Sequence, residues 1–229
     1  MATQFANGKI VTNGLVLCLD AADQTSYPTT GTTWFDLAGS NNGTLTNGPT
    51  FSGTGASSSI VFDGVNDYVS VPNREDLDFP TANFTAACWF KTTQSANYIG
   101  LLGKINFSVG TVGWTLQLYQ GTVTSWINDN ILQSPLAYND NNWHYGVMVC
   151  GVPNTGNRYI YVDGVQVTSS IMPNHSFDPT NLDLWIGGWT NGISYLFKGN
   201  IGSTQIYNRT LTASEVLQNY NAQKSRFGL

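Results

Sequence analysis

The sequence is poor in charged residues, which make up only 10% of its 229 residues. An average globular protein has about 25%. The nine Lys and Arg residues and fourteen Asp and Glu residues are spread without runs, so the net charge of −5 comes with no basic patch. We therefore expect no nucleic-acid partner. With so little charge, the surface must consist mainly of Ser, Thr, Asn, Gln and Gly.

Long apolar runs and targeting signals are also missing. No stretch approaches the about 20 apolar residues of a membrane span, so we expect no membrane partner. The first ten residues lack a charged region followed by an apolar core, and we expect no secretion signal. The three cysteines, Cys18, Cys88 and Cys150, lie in apolar strand patterns without a spacing motif. This predicts buried free thiols made in a reducing cytosol, with a Cys88–Cys150 disulfide as the alternative.

Residues that carry catalysis are scarce. The only glutamates, Glu75 and Glu215, lie in a predicted turn and a predicted helix cap, so they cannot form the paired carboxylates of a glycosidase strand. His144 follows Trp143 in a strand pattern, and His175 lies in a loop without an obvious Ser or Cys partner. The sequence also has no phosphate loop, zinc spacing or G-x-S-x-G motif. It predicts a protein that is not an enzyme.

Short β-type runs separated by turn residues fill most of the chain. The clearest hairpin joins residues 158–162 and 165–168 through Asp163 and Gly164, a type I′ turn signal. At least ten such runs, with no helix before residue 211, predict an all-β antiparallel two-sheet sandwich. A capping box between Thr212 and Glu215 then predicts one short C-terminal helix.

The domain organisation predicted from these patterns is simple. Residues 1–13 have no core pattern and indicate a loose N-terminal arm or attachment segment. Residues 14–229 form one domain, which begins with a nearly continuous apolar strand at 14–20, expected to be central, and ends in a helix and a polar tail. Between residues 29 and 58 the composition favours surface loops with one short strand near 43–46.

A stretch at residues 59–71 places two short strands around a polar turn, as in a hairpin. Asn66 and Asp67 in this turn are neighbouring oxygen donors of the kind that Ca²⁺ binds, but two donors are few against the about six to eight oxygens that Ca²⁺ takes. Just beyond, Glu75, Asp76 and Asp78 could form a metal or acid cluster, and we favour a solvated loop.

Seven motifs in register resemble those of LamG-like jelly-roll domains, the concanavalin A-like and pentraxin-related group. They are F-D-G-V-N-D-Y-V at 62–69, F-T-A-A-C-W-F at 84–90, W-H-Y at 143–145, Y-V-D-G at 161–164, I-G-G at 186–188 and the runs 197–202 and 206–211. The resemblance covers nearly the whole chain and implies a concanavalin A-like jelly roll.

The resemblance also frames the candidate sites. Calcium-binding relatives carry acidic residues after I-G-G, whereas this chain has none at 189–192, so no cofactor is required and Ca²⁺ has only a weak candidate set. That set is Asn66, Asp67 and Asn191. A sugar site needs exposed rings that stack on pyranose faces. The candidates in or near predicted loops are Trp126, Tyr138, Trp189 and Tyr195.

Two further motifs resemble structural proteins of tailed bacteriophages: L-D-A-A-x-x-x-S-Y-P at 19–28 and a closing segment that ends in R-F-G-L at 226–229. The resemblance implies a non-enzymatic virion protein, a capsid decoration or fibre component, assembled in the host cytoplasm and displayed at the virion surface. Its partners would be other virion proteins and surface glycan, and a homo-oligomer would protect exposed sheet edges. The alternative is a soluble lectin-like carbohydrate-binding module.

The absence of a carboxylate pair gives a first prediction. The protein is expected to release no reducing sugar from polysaccharides during prolonged incubation. The reason is that its sequence has no pair of carboxyl groups that could flank a glycosidic bond as general acid and base. Turnover that is lost in Glu75→Gln or Glu215→Gln would contradict it.

Overall fold

A computed structural model describes residues 4–5, 8–79, 83–106, 112–173, 181–189 and 194–229. Two antiparallel sheets pack face to face, and one helix, α1 (Ala213–Gln223), follows the last strand and runs into a 3-10 turn at Lys224–Phe227. The predicted all-β sandwich with a short C-terminal helix is therefore confirmed. A small ribbon of β1 (Gln4–Phe5) and β2 (Gly8–Lys9) lies apart from both sheets.

The two large sheets have eight strands each. The front sheet contains, in spatial order, β13 (Asn130–Ala137), β12 (Thr122–Ile127), β11 (Val112–Tyr119), β10 (Ile99–Asn106), β17 (Leu184–Ile186), β8 (Tyr68–Val71), β5 (Gly43–Thr46) and β4 (Thr33–Trp34). The back sheet contains β16 (Val165–Ile171), β15 (Asn157–Val162), β14 (His144–Cys150), β9 (Phe84–Lys91), β18 (Lys198–Tyr207), β7 (Ser59–Asp63) and β6 (Thr50–Ser52), with β3 (Leu15–Asp20) also paired to β18.

The main core lies between the sheets, where alternate residues of both inner faces meet. Large aromatic side chains dominate it. Those with less than 2% exposure in this core are Trp34, Phe62, Phe84, Phe90, Trp114 and Phe197. Their rings pack in pairs, such as Phe84 and Trp114 with centroids 4.9 Å apart.

The outer face of the back sheet is apolar too, and the C-terminal segment covers it. Trp89 of β9 and Tyr145 of β14 lie on this face and are fully buried. Val216 of α1 is buried against the same cluster. Phe227 stacks on Trp89 with centroids 4.4 Å apart. The sandwich therefore has a second, smaller core outside its back sheet.

The residues before β3 also contact this helix. Ile10 and Val11 are buried, Val11 N donates to Asn219 Oδ1 at 2.8 Å, and Gln218 Nε2 donates to Lys9 O at 3.0 Å. The pattern of residues 1–13 indicated a loose arm, whereas its described part from Gly8 onward packs against α1. The boundary at residue 13 stays a prediction.

The end of the chain is fixed by a buried ion pair rather than being a polar tail. Arg226 donates two hydrogen bonds to Asp20 of β3, at 2.7 and 2.6 Å, and both side chains are almost fully buried. Arg226 Nε also donates to Ala56 O at 2.7 Å. The residues around Arg226 are thus bound to both the first long strand and the loop before β7.

Residues 59–71 do not form the predicted hairpin. β7 pairs with β18 and β6 in the back sheet, while β8 pairs with β17 and β5 in the front sheet. The polar turn between them is therefore a connection that crosses from one sheet to the other. The hairpin predicted at Asp163 and Gly164 is present, and both residues have the positive φ of a type I′ turn.

The first long strand, β3, was expected to be central. In the described part of the chain it pairs only with β18, and a loop shields its other side. Cys18 N donates to Asp36 Oδ1 at 2.9 Å, and Leu37 N donates to Cys18 O at 2.9 Å. These bonds satisfy an edge that would otherwise be open to pairing with another chain.

All three cysteines are free and buried, as the apolar strand patterns predicted. In the register of β9 and β14, Cys88 lies opposite Gly146 and Cys150 opposite Phe84, so the two thiols are not cross-strand neighbours. Burial raises the pKa of Cys88, and it raises that of Cys150 to about 12. Both groups are therefore thiols, not thiolates, at neutral pH.

The acidic loop after β8 is only partly the solvated loop that we favoured. Glu75 is exposed, but Asp78 forms an ion pair with Lys104, whose side chain is fully buried. Lys104 Nζ also donates to Asn73 Oδ1 at 2.6 Å. Burial lowers the pKa of Lys104, and Asp78 opposes that shift. This loop therefore closes one end of the sandwich around a buried ammonium group.

The Asp20–Arg226 pair generates a stability prediction. Arg226→Met should lower the free energy of unfolding by about 3–5 kcal/mol, because it leaves the Asp20 carboxylate buried without its partner. Urea denaturation measures the difference.

The control is Arg74→Met, because Arg74 and Asp76 form an ion pair at 3.8 Å with both side chains about half-exposed. That variant should change the free energy of unfolding by less than about 1 kcal/mol. Equal losses in the two variants would contradict a dominant role for the buried pair.

Candidate functional site

The predicted calcium donors Asn66 and Asp67 lie in the connection between β7 and β8. Asp67 is only 4% exposed, and its Oδ2 accepts a hydrogen bond from Asp63 N at 2.9 Å. Burial raises the pKa of Asp67, whereas the N–H group of Val65 lowers that of Asp63. The Asp67 carboxylate thus holds the turn together and is not open to solvent.

The third predicted donor, Asn191, lies outside the described residues. This leaves Asn66 as the one exposed donor of the predicted set in the described ranges. Within those ranges, no group of three or more His, Cys, Asp or Glu residues could hold a metal ion. Because Ca²⁺ takes about six to eight oxygens, these donors do not fit it by themselves, and calcium binding stays a prediction.

The outer face of the front sheet carries an aromatic cluster, which we call the front cluster: Tyr98, Tyr119, Trp126, Trp189 and Tyr195. Trp189 lies at its centre, with ring centroids 4.4 Å from Tyr195, 6.0 Å from Tyr98 and 6.4 Å from Trp126. Tyr119 joins through Tyr98 at 4.9 Å. The structure therefore brings together three of the four predicted sugar-contact residues.

The rings of the front cluster differ in their access to solvent. Trp126 and Trp189 are 5% and 3% exposed, so they form the base of the cluster. Tyr195 is 42% exposed, and Tyr98 and Tyr119 are partly exposed. A ligand would therefore meet tyrosine rings supported by buried tryptophans.

Trp189 sits directly over Gly100 of β10. A Cβ atom at Gly100 would come within 2.4 Å of Trp189 Cδ1, so only glycine allows this approach. Gly100 N also donates to Tyr195 O at 2.9 Å. Tyr98 and Tyr195 both have left-handed backbones, with φ of 56° and 57°. Such conformations are uncommon for bulky residues and concentrate at functional sites.

A buried amide lies beside these rings. Gln117 of β11 lies opposite Gly100 of β10 on one side and opposite Thr124 of β12 on the other. Its side chain is on the outer face of the sheet. Gln117 is 0% exposed, and among the described residues neither its Oε1 nor its Nε2 has a hydrogen-bond partner. Leaving a buried polar group unsatisfied costs about 1–3 kcal/mol. Gln117 thus offers one donor and one acceptor at the base of the front cluster.

The fourth predicted ring, Tyr138, lies elsewhere. It contacts His144 edge-on, with centroids 5.1 Å apart. His144 Nδ1 is 2.8 Å from Asp163 Oδ2, and its Nε2 is 3.1 Å from Asp140 Oδ1. This places His144 in a structural link between two loops, and the other histidine, His175, lies outside the described residues.

Sequence reasoning missed Tyr98, Gln117 and Tyr119. The signal for two of them was present in the alternation of β11, where Trp114, Leu116 and Leu118 face the core. Residues 115, 117 and 119 therefore share the outer face. No local pattern marks Tyr98, because its place depends on contacts with Trp189 and Tyr195, which are distant in the sequence.

A family model of the concanavalin A-like lectin/glucanases superfamily, Laminin_G_3, matches residues 63–217. The chain therefore belongs to this family. The sequence matches no curated protein.

Solved structures share the fold. Trypanosoma rangeli sialidase in complex with the inhibitor DANA has 17% identity and a TM-score of 0.70 over 96% of this chain and 34% of that chain. The binding domain of Paraclostridial Mosquitocidal Protein 1 has 17% identity and a TM-score of 0.68 over 92% of this chain and 52% of that one. The botulinum neurotoxin serotype D binding domain has 14% identity and a TM-score of 0.67 over 93% and 53%.

The chain thus spans about a third of the sialidase and about half of each toxin domain. At these identities, the likeness extends to the fold alone. A separate observation concerns membranes: among the described helices, none has the length and apolar character needed to span a bilayer.

His144 generates a prediction for stability against pH. Burial by itself lowers the pKa of His144, but the hydrogen bonds and charges of Asp163 and Asp140 outweigh it, so the pKa is raised above 6.5. The folded state then binds a proton that the unfolded state has lost. The contribution is full below pH 6.5 and declines as pH rises through the folded-state pKa.

Stability should therefore fall between pH 6 and pH 8 in wild type and fall less in His144→Gln. Chemical denaturation at each pH measures the two slopes. Parallel slopes would contradict the assignment, since the difference between the proteins isolates this histidine.

Proposed function

We propose that this protein is a lectin-like carbohydrate-binding module and that the front cluster binds the glycan. The observation that carries the proposal is the partly exposed Tyr195 ring, which packs at a tilt against the buried Trp189, with the Gln117 amide on the same face of the sheet. An exposed ring presents an apolar face to the C–H groups of a sugar ring. Gln117 offers hydrogen bonds that fix the orientation of hydroxyl groups.

The comparisons support a binding role without naming the ligand. The family is named for lectins as well as glucanases, and two of the similar structures are binding domains of toxins. One similar sialidase structure is a complex with sialic acid, and another is a complex with the inhibitor DANA. Since the identities are low and the chain spans only part of those proteins, glycan contact is proposed here from the front cluster itself.

The role as a bacteriophage virion protein, which the sequence analysis put first, gains no support from the comparisons. The motifs that suggested it have another explanation in the fold, because Asp20 of the opening motif and Arg226 of the closing one form a buried ion pair with each other. Phe227 is likewise buried. We therefore propose that the domain binds glycan without cleaving it. This proposal does not depend on any larger particle or chain that carries the domain.

A glycan array tests this proposal. Tyr195→Ala should weaken the strongest hits about tenfold, equivalent to about 1.4 kcal/mol, because the exposed stacking ring is lost. Gln117→Leu should weaken them by a similar factor, because it removes the donor and the acceptor but keeps the volume. The front cluster has no carboxylate, so chelator should leave binding unchanged.

Phe35→Ala is the matched control, because Phe35 is also 42% exposed and lies outside the front cluster. It should bind like wild type. The proposal fails if no glycan binds, or if Phe35→Ala and Tyr195→Ala lose affinity equally.

A further inference from the structure

A second concave surface lies on the outer face of the back sheet, beyond the part that α1 covers. Its volume is about 540 Å³, within the about 300–1,000 Å³ of ligand pockets. Its floor includes Val149 of β14 and Tyr159 and Tyr161 of β15. We call it the back cleft, and it lies on the sheet opposite to the one that bears the front cluster.

One wall of the back cleft is the turn between β14 and β15. Gly151 N donates to Asn157 O at 2.9 Å, and Gly156 N donates to Val152 O at 2.7 Å. A Cβ atom at Gly156 would come within 2.5 Å of Val152 N, so the turn is tightly closed on itself. This wall is held in place before any ligand arrives, which reduces the entropy that binding costs.

The opposite wall is the segment that leads into α1. Leu211 N donates to Thr85 Oγ1 at 3.0 Å, and the same hydroxyl donates to Arg209 O at 2.9 Å. Thr85 is fully buried in β9, so it anchors this segment to the sheet. Both walls are therefore attached to the back sheet at fixed positions.

The polar groups that line the back cleft are uncharged. Tyr159 Oη accepts a hydrogen bond from Asn157 Nδ2 at 2.9 Å, and Tyr161 Oη donates to Gln166 Oε1 at 3.4 Å. Asn83 directly precedes β9, and its buried Oδ1 has no hydrogen-bond partner among the described residues. The cleft thus combines tyrosine rings with amide donors and acceptors, including one acceptor that is free.

The start of α1 borders the cleft, but it does not make an anion site. Thr212 and Glu215 form a capping box, in which the N–H groups of both residues are bonded and the Glu215 carboxylate lies at the helix start. Arg209 forms two hydrogen bonds to Glu215, at 2.9 and 2.6 Å, which cancels its charge locally. A ligand in the back cleft therefore meets no net charge of either sign.

We propose that the back cleft is a second saccharide site and that it takes a neutral oligosaccharide. The partly exposed Tyr159 ring packs against a sugar ring, and Asn157, Gln166 and the free Asn83 acceptor bond its hydroxyl groups. The site is independent of the front cluster, because the two lie on opposite sheets. With both sites active, one chain binds two glycan segments.

The test uses the full chain and a panel of neutral hexasaccharides: cello-, malto-, xylo-, manno-, laminari- and chitohexaose. Calorimetric titration is run on wild type, Tyr159→Ala and Tyr195→Ala. At least one neutral sugar should bind Tyr159→Ala about tenfold more weakly than wild type, while Tyr138→Ala binds it like wild type. Gln166→Ala, which changes an exposed residue, gives a second cleft variant if Tyr159→Ala fails to fold.

Tyr138→Ala is the control, because Tyr138 is also a partly buried tyrosine and lies in neither site. The proposal is overturned if no neutral sugar depends on the cleft variants, or if hexagalacturonate binds the cleft more tightly than every neutral sugar does. A loss confined to Tyr195→Ala would support the front cluster and reject the back cleft. A loss confined to Tyr159→Ala would support the back cleft and reject the front cluster as the binding site.

Discussion

The back sheet is apolar on both faces, and much of the remaining structure follows from this constraint. One face forms the main core against the front sheet, while the other carries Trp89 and Tyr145. Water cannot cover such a face without a cost of about 25 cal/mol for each Å² of apolar surface. The helix, the Phe227 ring and the residues before β3 provide the cover. The Asp20–Arg226 pair then fixes the end of this covering layer to the first long strand.

The extent of the covering layer also determines which part of the outer face of the back sheet is accessible to ligands. It ends at the beginning of α1, so the part of the back sheet around β15 remains open as the back cleft. In the described part of the chain no helix lies over the front sheet, and its outer face is covered locally by the aromatic rings around Trp189. Each open region pairs tyrosine rings with amide side chains. Both regions are bonded to their sheets, the back cleft through Thr85 and the front cluster through Gly100.

The fold could be predicted from the sequence because turn residues, and strands in which apolar and polar residues alternate, recur through the chain. Sequence reasoning predicted the Asp163–Gly164 hairpin and the capping box correctly, since both depend on local chemistry. It failed at residues 59–71 because a turn signal does not say whether the second strand returns to the same sheet. It also failed for the C-terminal tail, where a polar composition concealed an arginine whose partner lies far away at Asp20. For the candidate site, Trp126, Trp189 and Tyr195 could be named as aromatic residues near loops. Gln117 could not be named, because only the folded structure shows that its buried amide lacks a hydrogen-bond partner among the described residues.

The position of β18 has a consequence for how the molecule is made. This strand pairs with β9 on one side and with β3 and β7 on the other, so it lies in the middle of the back sheet although it comes near the end of the sequence. Pairing across so much intervening chain is slow, because loop closure precedes the gain in contacts. During synthesis, the edges of β3, β7 and β9 that pair with β18 stay unpaired until residues 198–207 leave the ribosome. The nascent chain is therefore most prone to aggregation in that interval, and refolding from denaturant should be slow for a domain of this size.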